Sequence, residues 1–96
     1  MDIRLLPSGE VVLEDADDFR RFAVLVPEGT VLADSALAGL VRIEGDHAWV
    51  PPGTVTGLHP DAGPDWHRQF DGMVAFAAGK GWTDADGHIR AHIEAK

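Results

Sequence analysis

Ninety-six residues, 45% hydrophobic and 25% charged, describe one small globular domain (residues 1–96) with a single modest core rather than a disordered chain. The absence of cysteine excludes disulfides, thiolate zinc sites, iron–sulfur ligation and thiol catalysis. A formal charge of −8, concentrated in residues 1–48 (ten acids minus four Lys/Arg, −6), disfavours nucleic acid and anionic membranes, and no basic stripe offsets it.

The opening MDIRLLPSGE lacks a basic start followed by a long apolar run. No later stretch reaches the roughly 20 apolar residues that a membrane-spanning helix requires, so cytoplasmic residence is the expectation. Ile3 to Leu6 and Val11 to Leu13 flank the turn sequence PSGE and predict a hairpin near 2–14. The stretch EDADDFRRFAVLV then supports two readings. Asp15 can cap a helix, and Phe19, Phe22, Ala23 and Val26 fall at helical spacing, which favours a helix over about 15–23. AVLV before Pro27 is also a good short strand. A shorter helix is expected at DSALAGL, capped by Asp34 or Ser35.

LVRIEGDHAWVPP carries the clearest local signal. A two-residue loop at Gly45-Asp46 makes a hairpin over 41–50, and counting outwards sets Glu44 against His47, Ile43 against Ala48, and Arg42 against Trp49. One face is then apolar (Val41, Ile43, Ala48, Val50). The other holds an ion pair and a cation–π contact, each contributing about 0.5–1 kcal/mol. A Gly/Pro-rich crossing follows.

Residues 64–80 are the main helix, with Pro64 in its first turn and Gly79 or Gly81 at its end. Trp66, Phe70, Met73 and Ala77 form its buried stripe, widened by Val74 and Phe76. Gly72 in mid-helix costs about 1 kcal/mol against alanine and predicts the close approach of a ring or backbone. Trp66 and Trp82 are expected to pin the two helix ends. Strict alternation in HIRAHIE predicts a C-terminal strand over 88–94 with one wet face. The expected class is α+β: a small antiparallel sheet of these hairpins and the last strand, packed by the main helix plus one or two short ones.

DADGHIRAHIE resembles a calcium loop only in part. With Gly87 as the loop glycine, Trp82 takes the first ligand position and Ile93 the last, and neither binds calcium. Turn chemistry explains DADG better. His88 and His92 on a strand lie about 13 Å apart, too far for one metal, so neither a metal nor a cofactor is expected. Only two serines are present, both at predicted turn or cap positions, and no nucleophile or phosphate-loop motif occurs.

The sequence therefore favours a non-enzymatic cytoplasmic binding module whose partner is another protein or a second copy in a homodimer. Arg42, Trp49, His88, Arg90 and His92 are the candidate contact residues, the last three on the 88–94 strand if it is an unpaired edge. The alternative is a small-molecule-binding protein or acid–base enzyme. It would place a pocket between helix 64–80 and the sheet and draw on the acids and histidines near 59–67 and 84–88; no catalytic residue is singled out.

Overall fold

The first hairpin forms where the turn sequence placed it. Strands β1 (Asp2–Leu5) and β2 (Val11–Glu14) pair antiparallel, closed by Leu6 N–H donating to the Glu10 carbonyl at 2.8 Å. The computed structural model describes all of residues 1–96. Its helices lie on one side of a single six-stranded sheet in the order β2-β1-β3-β6-β5-β4.

That sheet is mixed, which corrects the expected antiparallel one. Strand β3 (Ala23–Val26) runs parallel to β1, and β6 (Ile89–Ala95) runs parallel to β3. All four residues of β3 are buried, as expected of a strand covered on both faces, and this is why AVLV resolves as strand. The helix expected over 15–23 is absent. Asp15 adopts a positive φ of 50°, and the Met1 ammonium takes the carbonyls of Asp18 and Arg21 at 2.9 Å each, which removes acceptors a helix would use. Burial pushes the pKa of this ammonium down, against the opposing pull of Asp18 and Asp2.

The second hairpin, β4 (Arg42–Glu44) with β5 (His47–Val50), has the counted register: Arg42 opposite Trp49, Ile43 opposite Ala48, Glu44 opposite His47. Strand β5 then pairs with β6 antiparallel, so β6 is interior and the edges are β2 and β4. The edge role considered for the last strand is thereby overturned. Its backbone groups are taken by β3 on one side and β5 on the other.

In place of the short helix expected at DSALAGL stands a 3-10 turn, Ala36–Gly39, preceded by another at Leu32–Asp34 and capped by the Ser35 hydroxyl accepting from Leu37 N–H at 3.2 Å. Part of the Gly/Pro crossing is a short helix, α1 (Pro52–Gly57), with Pro52 in its first turn and Val55 fully buried; tertiary burial here overrides glycine's poor propensity. The main helix α2 spans Pro64–Gly79. It ends as Gly81 (φ 76°) donates to the Ala78 carbonyl and Trp82 N–H to that of Ala77, the paired bonds of a Schellman stop.

Alternation divides the sheet. Ile3, Val24, Ala48, Val50, Ile89 and Ala91 face the helices and join Leu37, Val55, Trp66, Phe70 and Ala77 in one core. The opposite face carries Arg4, Glu44, Trp49, Arg90 and His92. Ala23 and Leu25 share that polar face yet stay buried, flanked in register by Asp2, Arg4, His92 and Glu94.

Candidate functional site

The end of α2 and the approach to β3 together leave an apolar groove of about 540 Å³. One wall is the C-terminal half of α2, with Gly72, Met73, Phe76 and Ala77. The other is the Phe19–Phe22 segment leading into β3, and Trp82, Ile89 and Arg90 close the end. Each wall has a local cause. The Schellman turn reverses the chain so that Trp82 follows α2 directly, and Trp82 O then accepts from Arg90 N–H at 2.9 Å. Its backbone is clamped while its ring remains 48% exposed, edge-on to Phe76 with centroids 6.0 Å apart. Phe76, a quarter turn from the buried stripe, is 60% exposed. The other wall is held by the Met1 ammonium and by Phe19, whose ring lies 6.0 Å from that of Trp66.

These positions correct three expectations. Phe76 does not widen the buried face of α2. Trp66 pins its end of the helix, with Nε1 donating to the Ala16 carbonyl at 2.8 Å, but the Trp82 ring does not pin the other. Gly72 admits no neighbour, since a Cβ there would meet nothing within 4 Å.

The charged residues that line the groove are all cationic. Of eight Lys and Arg, four form ion pairs: Arg4 with Glu14, Arg21 with Asp2, Arg42 with Glu44 and Asp84, and Arg68 with Asp65. Arg20, Lys80, Arg90 and Lys96 have no carboxylate partner. Arg20 and Arg90 line the groove, and Lys80 places its ammonium 5.5 Å from the centroid of the Phe76 ring. No carboxylate or imidazole lines it.

The residues singled out from sequence lie mostly on the polar sheet face. Arg42, Trp49 and Arg90 form one row across β4, β5 and β6, with the Arg42 guanidinium 5.5 Å from the Trp49 ring centroid. Trp49 Nε1 is buried without a hydrogen-bond partner. His92 sits in the next row opposite His47. His47 in turn lies 3.5 Å from Glu44 and 3.3 Å from Asp46, and its hydrogen bond holds the Asp46 carboxyl below the usual range. His88 stands apart in the DADG turn, with N–H donating to Asp84 Oδ1 at 2.9 Å. Partial loss of solvent raises the Asp84 pKa, but the His88 N–H, the Arg42 guanidinium and the Asp86 N–H outweigh it and hold the carboxyl below its ordinary value. No three of the histidines and acids are grouped to hold a metal ion. His59 and His67 pack edge-on against the Trp66 ring, at 4.9 and 5.3 Å.

Only Arg90 belongs to both the sequence-derived set and the groove. Phe19, Arg20, Phe22 and Phe76 were missed as site residues, although the angular offset of Phe76 from the Trp66–Phe70–Met73–Ala77 stripe was readable from spacing. Compared with protein-family models, curated proteins and solved structures, the chain matches none.

Proposed function

We propose that this protein is a non-enzymatic binding module that engages another protein through the groove between α2 and the Phe19–Phe22 segment. The observation that carries this reading is the joint exposure of Phe76 and Trp82 on an apolar groove beside the core. A patch of this kind on a small domain is a typical recognition surface. Its Trp, Phe, Met and Arg lining matches the composition enriched in protein interfaces. A cytoplasmic setting is part of the proposal.

Groove-to-groove self-association would bring two sets of unpaired cations together, so a partner other than a second copy is favoured. A second reading, a small amphipathic ligand, draws support from the groove volume, which falls within the roughly 300–1,000 Å³ of small-molecule sites. The acid–base alternative lacks such support: an arginine stays protonated and cannot exchange protons near neutral pH.

Panning a random peptide display library tests the proposal, with a Phe76→Asp/Trp82→Asp variant as the counter-target. Phe76 is 60% exposed and Trp82 48%, and circular dichroism checks that the variant keeps its fold. Enrichment on the native protein that disappears on the variant is the expected result; equal enrichment on both, or none, refutes the groove as the recognition surface.

A further inference from the structure

We infer that the segment this groove binds is acidic: an apolar anchor flanked by aspartate or glutamate, on a partner protein. The inference rests on the groove being the recognition surface and adds the chemistry of what it recognises. Three of the four Lys/Arg residues without a carboxylate partner lie around this place: Arg20 in one wall, Arg90 at the closed end, reached from the polar sheet face, and Lys80 over the Phe76 ring outside the lining; no acid lines the groove to neutralise them. Elsewhere the chain pairs its cations readily, as sixteen acids against eight Lys/Arg allow. A guanidinium offers several N–H donors in a planar fork suited to a carboxylate, and at the rim it meets a ligand while its stem still packs on apolar wall. The walls supply the complementary half of the recognition, because Phe76 and Trp82 present ring faces and edges to an apolar side chain.

The expectation runs against the protein's overall charge. A surface at −8 selects basic peptides through its long-range field, so acidic binders can arise only from a local cationic site.

The peptides enriched by panning are sequenced, and one is synthesised with a fluorescent label and again with every Glu and Asp replaced by Gln and Asn. Binding is followed by anisotropy against the native protein, an Arg20→Gln/Arg90→Gln variant, and an Arg68→Gln variant whose charge change lies away from the groove. The inference expects Asp and Glu beside Phe, Leu or Trp in the pool. It also expects an approximately tenfold loss of affinity with either the amide peptide or the double variant, as when several rim ion pairs each contribute a few-fold. Raising the salt from 50 to 500 mM narrows that gap, and Arg68→Gln leaves affinity unchanged. A pool enriched in neutral or basic apolar peptides, or acidic peptides that bind the double variant equally well, overturns the inference while the groove remains the binding surface. A pool that ignores the groove overturns the underlying reading instead.

Discussion

Two phenylalanines six residues apart on α2 provide the sharpest test of how that helix is oriented. Phe70 is 2% exposed and stacks on Trp66, with ring centroids 5.1 Å apart and planes 12° from parallel. Truncating it to alanine removes a buried ring from the centre of the core and leaves a cavity the neighbours cannot fill, at a cost of about 3–5 kcal/mol. Part of that is the aromatic stack, about 0.5–1.5 kcal/mol. A domain of this size has roughly 5–15 kcal/mol of total stability, so the variant sits near the edge of folding. At about 4–8 °C per kcal/mol for a domain this short, the melting temperature falls by at least ~12 °C. The urea midpoint falls by more than about 1 M. Phe76→Ala, by contrast, removes a ring that is 60% exposed and changes stability by no more than about 0.5 kcal/mol. Urea unfolding of both variants, followed by tryptophan fluorescence, measures the difference. Equal losses would refute the orientation of α2, and with it the groove.

Two glycines near the same helix should respond in opposite directions. Gly72→Ala gains helix propensity with no steric conflict and stabilises by about 0.5–1 kcal/mol, seen as a rise in melting temperature; a fall would mean that something does pack against that position. Gly81→Ala forces a left-handed conformation (φ 76°) on a residue with a Cβ and destabilises by about 1 kcal/mol. Asp84 governs an acid dependence. Because its folded pKa is depressed, its contribution is present above the ordinary carboxylate range and is lost as pH falls through the folded value. The urea midpoints of the native protein and Asp84→Asn should therefore differ at pH 7, begin to approach each other near the ordinary carboxylate value of about 4, and converge only below the depressed folded value. A gap that persists in acid, or is absent at neutral pH, contradicts the assigned hydrogen bonds.

Local chemistry was readable and long-range pairing was not. The Gly45-Asp46 loop admits one register, so Arg42 opposite Trp49 followed by counting, and the cation–π contact came with it. Pro64 and Gly81 bracket α2 because first-turn and stop positions restrict residue type. For Phe19 to Ala23, helical spacing and strand composition competed, and the outcome depended on β1 and β6, distant in sequence, taking β3 between them. The groove was hidden for the same reason: Phe19, Phe76 and Trp82 meet only once the sheet places β6 beside β3. Arg20 and Arg90 stand out only after every other arginine has been matched to its acid.

The strand order carries a consequence for how the chain comes together. Residues 89–95 lie between the β2-β1-β3 trio and the β5-β4 hairpin and are the only strand joining them. A nascent chain that has emerged only to residue 88 therefore holds two unconnected half-sheets, each with an open inner margin. Closure joins strands across a large separation in sequence, which slows folding and leaves both margins open to foreign strands until β6 is in place.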